Sequence, residues 1–385
     1  MMRILSVFIT GLLILLLGGC ASKGLQPMEL VDFEPKATIS KQWSANVGSG
    51  LDIRYTLLAP VIVGENIYTV DHKGTVSALD KNTGKQIWRV KLKEEVSGGL
   101  GYGNGTLFLG TYEAQIIALN ITDGSEKWRA TVSSEVLSNP QTNGSVVVAQ
   151  VFDGSLVGLD HDTGKALWKV ETDPPTLTLR GNSSPLIVGA NVYSGFATGK
   201  VLAVGVNDGL LVWEQRVAIP QGRSELERMV DIDGSPLRVG EIIFIASYQG
   251  QLMALSRATG RPLWSKAAST YLSLASGQDN IYLTDSNGGV KAFRSGSGQL
   301  SWENEQLLRR KTSAPHTIGN YVVVADEEGG YLHVLSQTSG EFMARKKIDG
   351  SGVRSPMVSA DGVLYVYSND GKLTALKIEA ITSDE

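Results

Sequence analysis

All seven tryptophans of this chain fall on one repeating unit, and that repetition limits the fold more than any other feature. One copy reads Gly74-Thr75-Val76-Ser77-Ala78-Leu79-Asp80, then Thr83-Gly84, then Ile87-Trp88. Further copies run Gln115–Trp128, Gly154–Trp168, Gly199–Trp213, Gly250–Trp264 and Gly288–Trp302. A seventh passes from Gly330 through Ser339-Gly340 to Ala344, where tryptophan is expected. An eighth begins at Gly371-Lys372-Leu373, and the chain ends before its tryptophan. The missing piece stands at the other end, where Gln42-Trp43-Ser44-Ala45 matches Ile87-Trp88-Arg89-Val90. Trp43, Trp88, Trp128, Trp168, Trp213, Trp264 and Trp302 are therefore in phase, spaced 45, 40, 40, 45, 51 and 38 residues apart.

Each copy reads as four short strands. Asn66–Val70 alternates at the period of a half-buried strand, Asp71–Gly74 is a turn cluster, and Val76–Leu79 and Ile87-Trp88 supply the last two strands. Gly and Asp at the turns meet the need for positive φ and local backbone bonds. Pro60, Pro140, Pro185, Pro236, Pro315 and Pro356 precede the first strands, where a residue without an N–H is tolerated. Four strands repeated every 40–50 residues describe a β-propeller. The chain is expected to be all-β: an eight-bladed propeller over residues 41–378, its last blade shared by the N- and C-terminal strands. Such closure protects the sheet edges. Small Ala78, Ala118, Ala203, Ala254 and Ala375 suggest tight packing between neighbouring sheets. Residues 379–385 read as a short tail.

Met1-Met2-Arg3, the apolar run Ile4–Leu17 and the small residues Gly18-Gly19 form a secretory signal peptide over 1–19. Cys20 follows at once and is the one cysteine of 385 residues, which excludes a disulfide framework and a multi-cysteine metal site. Residues 20–40 hold Gly24, Pro27 and Pro35 without periodicity and read as a tether. Extended, that stretch reaches at most ~70 Å and lets the body sit well off a membrane. The net charge of -4 does not suggest a nucleic-acid binder. No Gly-x-Ser-x-Gly occurs. Asp231-Ile232-Asp233-Gly234-Ser235 opens like a calcium loop, but Pro236 stands where glycine is needed. Gly101-Tyr102-Gly103-Asn104-Gly105 precedes a strand and so is a turn rather than a phosphate loop. His72, His161, His316 and His333 are expected as solvated turn residues. Arg309-Arg310-Lys311 and Arg345-Lys346-Lys347 are expected as solvated edges.

Ala78-Leu79-Asp80 through Thr83-Gly84 to Trp88, and Gly158-Leu159-Asp160 through Thr163-Gly164 to Trp168, resemble the tryptophan-docking motif of the quinoprotein (PQQ-type) propellers. Leu17-Gly18-Gly19-Cys20 resembles the bacterial lipobox, which implies cleavage before Cys20 and lipidation of that residue. Ala21-Ser22 lack the aspartate of inner-membrane retention, which implies the outer membrane, facing the periplasm. The quinone enzymes carry a disulfide and acidic calcium ligands that have no counterpart here, so no cofactor or metal site is assigned. Together these features resemble the BamB family, the lipoprotein subunit of the β-barrel assembly machinery. The resemblance implies a non-catalytic scaffold that binds the periplasmic domains of the central barrel subunit, with nascent outer-membrane proteins as further partners. A periplasmic PQQ-dependent dehydrogenase is the rival reading, and a funnel that binds peptidoglycan or sugar is a third.

Repeat lengths point to a docking site. The stretches ending at Trp213 and Trp264 exceed the 40-residue copy by 5 and 11 residues. Both extensions lie between an outer strand and the next inner strand, so they should emerge side by side on one face. The first is stiffened by Pro174-Pro175 and carries Leu177, Leu179 and Arg180. The second runs from Ile219 to Asp233, with a possible helical turn and then Asp231 and Asp233. These five residues are the candidate partner contacts, at positions that match the contact stretches of the resembled family. Edge-strand addition is a second possible mode of binding.

Overall fold

The computed structural model describes residues 25–381 apart from 52, 55 and 182, so the leader and Cys20 lie outside the described residues. Eight four-stranded antiparallel sheets follow one another around a ring. Blade 1 is built from Val61–Val63, Asn66–Val70, Thr75–Asp80 and Gln86–Lys91, and blades 2 to 7 repeat that order. Blade 8 takes Val358–Ala360, Val363–Tyr367 and Lys372–Ala380 from the C-terminus and its outer strand, Ala37–Asn46, from the N-terminus. The expected closure is therefore present, with Trp43 opposite Ala375.

The outer seams share one interaction. Each indole N–H donates to a carbonyl in the next blade: Trp43 to Lys81, Trp88 to Ile121, Trp128 to His161, Trp168 to Val206, Trp213 to Arg257, Trp264 to Ser295 and Trp302 to Gln337, all at 2.8–3.0 Å. Each acceptor stands three residues before a positive-φ glycine, from Gly84 to Gly340, on which the indole lies. A Cβ at Gly164 would come within 2.5 Å of the Trp128 ring. Inside the ring, hydroxyls join the same neighbours: Ser97 donates to the Val136 carbonyl, Ser183 to Gly234 and Ser355 of blade 8 to Leu58 ahead of blade 1, at 2.7–3.2 Å.

The small residues lie in the cores shared by neighbouring sheets, and each also makes room for the tryptophan of its own blade. Ala78, Ala118, Ala203, Ala254, Ala292 and Ala375 each stand directly opposite a tryptophan. In blade 3 the residue opposite Trp168 is Gly158, where a Cβ would lie 2.1 Å from the indole. In blade 7 the sizes are exchanged: Ala344 faces Val334. Packing to constant density explains the exchange. The absence of tryptophan at 344 also has a cause in the topology. Its receiving turn would join the third and fourth strands of blade 8, and the chain termini interrupt that connection.

Four sequence expectations need correction. The outer strand of blade 8 starts at Ala37, and residues 25–36 are not a free tether but a strap across blade 7. Arg309 Nε donates to the Gln26 carbonyl at 2.6 Å, Arg310 Nη1 to Met28 at 2.9 Å and Arg345 Nη1 to Val31 at 2.8 Å. The arginines of the two basic clusters are thus not solvated edges, while Lys311 and Lys347 remain exposed; Arg310 is buried and its Nε also donates to Asp326 Oδ2 at 2.7 Å. His161 and His333 are buried and His316 lies on a strand, whereas His72 stands, as expected, in a partly exposed turn. His161 packs edge-on against Phe108, and His333 is fully buried on a strand between Asp326 and Arg345. His316 is half-buried against Ser359, and the His72 ring lies 3.1 Å from the Gly50 carbonyl. The C-terminal strand runs past residue 378 to Ala380.

The seam geometry sets two expectations for denaturant titration. Gly164→Ala should destabilise by more than the ~1–2 kcal/mol of a left-handed alanine, because the new methyl also strikes Trp128. Ala344→Trp, which restores the repeat consensus, should cost ~1–3 kcal/mol through overpacking; a gain in stability would contradict the account of the 7–8 seam.

Candidate functional site

The two long connections meet on one face of the ring. Between the outer strand Ala166–Val170 and Leu186–Val188, Pro174-Pro175 lead to an exposed Leu177, a half-buried Leu179 and an exposed Arg180. Between Leu211–Arg216 and Leu237–Val239, Met229, Val230 and Ile232 are buried and pin the second connection down. It contains one hydrogen-bonded turn. Ser224 and Glu227 form a reciprocal cap there: Glu227 Oε2 accepts the Ser224 N–H, and Ser224 Oγ accepts the Glu227 N–H.

The five candidate residues come together but take different parts. Asp231 is fully buried, and its Oδ1 accepts the Leu179 N–H at 2.9 Å. Its Oδ2 is buried without a hydrogen-bond partner. Asp233 sits under Gly181, where a Cβ would come 2.4 Å from the carboxyl carbon. The two acids thus hold the first connection from beneath, while Leu177 and Arg180 face outward. Burial pushes the Asp231 carboxyl above its ordinary value, and burial plus the charge of Asp231 pushes Asp233 well above it. Arg180 has left-handed backbone, at φ 63°. Its guanidinium donates to both Glu135 oxygens at 2.9 and 2.7 Å and stands 4.8 Å from the Phe152 ring centre. Glu135 and Phe152 therefore belong to the site. Both lie in repeats of ordinary length, so repeat length carries no signal of them.

Leu179, Arg180 and Asp233 also line the mouth of the central funnel, a cavity of about 300 Å³. Its wall is otherwise built of Ser97, Asn139, Ser184, Ser235, Ser273 and neighbouring apolar groups, with Tyr271 at the side. Of these, Ser97 spends its proton on the next blade.

A family model described as outer membrane protein assembly factor BamB matches residues 72–304 and 286–381. A Pseudomonas aeruginosa protein of that name is 53% identical over 363 residues, 94% of this chain and 95% of that protein. The chain belongs to the BamB family of outer membrane protein assembly factors. A solved BamB structure from Moraxella catarrhalis superposes with a TM-score of 0.81 at 26% identity, covering 88% of this chain and all of that one. The quinohemoprotein alcohol dehydrogenase of Comamonas testosteroni shares the fold, with a TM-score of 0.69 at 14% identity, covering 88% of this chain and 76% of that one.

The funnel lining does not fit a calcium-bound quinone of the kind implied by the resemblance to the PQQ-type propellers. Calcium takes about six to eight oxygen ligands, several of them carboxylates. Among the described residues, Asp233 is the one carboxylate that lines the funnel, and burial favours its protonated form. Among the described residues no group of three or more His, Cys, Asp or Glu is placed to hold a metal ion.

The acids give the site a pH dependence with a definite sign. A carboxyl whose pKa is raised by folding destabilises the fold once ionised. Stability is therefore greatest at low pH and falls as pH rises from about 4 through the raised value. Asp231→Asn keeps an acceptor for the Leu179 N–H and removes the charge. Its melting temperature relative to the native chain should climb between about pH 4 and pH 8, and a constant difference would refute the assignment. Asp231→Ala leaves the Leu179 N–H unpaired, at a cost of ~1–3 kcal/mol.

Proposed function

We propose that this chain is a non-catalytic scaffold lipoprotein of outer-membrane protein assembly. In this reading Cys20 carries the lipid anchor, the propeller faces the periplasm, and the 177–180 loop docks the periplasmic domains of the central barrel subunit. The observation that carries it is the pre-organised loop. Two prolines, the Leu179–Asp231 hydrogen bond and the Arg180–Glu135 pair fix its backbone before any partner arrives. Pre-organisation lowers the ordering cost of association, and an exposed leucine beside an arginine already held over a ring offers an apolar anchor and a charged one. Leu177 and Arg180 would make the contact, Leu179 would seat the loop on the funnel rim, and Asp231 and Asp233 would support it. Membership of the BamB family supports the assembly role. The scarcity of ionisable groups in the funnel wall supports a scaffold over an enzyme, since Asp233 is its one carboxylate among the described residues.

The test is capture of the barrel subunit's periplasmic domains by Leu177→Ala/Leu179→Ala/Arg180→Ala. Removing a hot-spot cluster should weaken binding by about tenfold or more, with the circular dichroism of the propeller retained. Undiminished capture by the folded variant would sink the site. Cys20→Ser should move the protein from the membrane to the soluble fraction, and continued sedimentation with membranes would refute the anchor.

A further inference from the structure

The strap over blade 7 bears on how the propeller stands at the membrane. Its recognition is mostly main-chain. Three guanidiniums take the carbonyls of Gln26, Met28 and Val31, and the Met28 N–H donates to the Leu308 carbonyl at 3.0 Å. Two apolar side chains complete it: Leu30 and Phe33 pack on the cluster that holds Trp302, Leu307 and Phe342. Phe33 stacks on Phe342 with centres 5.3 Å apart, and the Arg345 guanidinium lies 5.0 and 4.9 Å from the two rings. The arginines are themselves fixed from below. Asp326 Oδ2 accepts from Arg310 and lies 3.1 Å from His333 Nε2, while Arg345 Nε donates to His333 Nδ1 at 3.1 Å. Burial works against the Asp326 charge, but the bonds from His333, the Tyr331 N–H and Arg310 outweigh it and hold the carboxyl at about 2. The cluster therefore stays charged throughout the neutral range. Arg310 and Arg345 face Asp326 and, in the strap itself, Asp32, and the strap carbonyls accept further bonds from both guanidiniums.

The consequence is a short leash. From Cys20 to Gln26 the chain can reach at most ~20 Å, against ~60 Å if it were free as far as Ala37. We propose that the bilayer faces the blade 7 edge of the propeller, because the clamp makes the anchored end leave the fold there. Leu25, the last described residue on that path, is 85% exposed. Blade 3 lies across the ring and is the part farthest from the membrane. The inference rests on lipidation of Cys20 as proposed above.

The experiment uses the full lipidated chain in vesicles of phosphatidylethanolamine and phosphatidylglycerol that carry an acceptor dye. Cys20 is the native chain's single cysteine, and its lipidation leaves an introduced thiol free for selective labelling. Donor dyes are placed at Gln306→Cys, beside the strap, or at Lys165→Cys on blade 3; both positions are exposed. Energy transfer to the bilayer should be at least twofold greater from 306 than from 165. A ten-residue Gly-Ser insertion after Lys23, which leaves the clamp untouched, should bring the two signals together. Equal transfer from both sites in vesicle-bound native protein overturns the proposal, as does an insertion without effect. Protein that fails to float with vesicles overturns the lipid anchor itself, and this inference with it.

Discussion

The indole-to-carbonyl contact between adjacent blades is the constraint on which the rest of the molecule depends. A four-stranded sheet cannot bury both faces alone, so each blade needs a neighbour on each side and the ring must close. The tryptophan meets three requirements at once. Its ring covers apolar surface at the outer seam, its N–H finds an acceptor on the next blade, and its size demands a small partner across its own sheet. That demand spreads through the repeat: alanine or glycine opposite, a bulge after it, and a positive-φ glycine beneath the indole. The hydroxyl bonds at the inner ring do the same work where there is no room for an indole.

The one seam without this contact explains the terminal architecture. Where the termini meet, blade 8 has no turn between its third and fourth strands, so it offers neither carbonyl nor glycine to a tryptophan of blade 7. Ala344 and Val334 fill the interior there. The outer surface is covered by Phe33 on Phe342, with Arg345 over both. The polar cluster behind Arg345 is a further cost of that solution. Buried ionised groups need every partner satisfied, and strap carbonyls provide part of that satisfaction. The strap that covers this seam and the strand that closes the ring are therefore one continuous stretch of chain, residues 25–46.

Blade number and ring closure were legible because both follow from the phase of the tryptophans, which tertiary context cannot shift. The meeting of the two long connections was legible too, since extra length between repeats must leave the ring. What escaped was recognition that leaves no mark in the repeat. The strap is held through its carbonyls, which any residue has, so Leu30 and Phe33 were its faint apolar signal. His333 and Arg310 read as solvent-facing because burial of a charged group depends on partners far away in sequence, here Asp326 and residues 26–31. Asp231 looked like a contact residue and is a support, a distinction that only the Leu179 N–H reveals.

Likeness to the quinone enzymes and membership of the BamB family separate at the funnel. The same eight blades can enclose a redox cofactor or nothing chemical at all, since function resides in the side chains placed on a fold. Here Ser97, Ser184 and Ser273 of the funnel wall are bonded to neighbouring segments of the ring, and Asp233 lies against Gly181 under a surface loop. The rim is tied from beneath by Asp231 and from the side by Glu135, so the backbone that carries Leu177 and Arg180 is held by side chains of other blades.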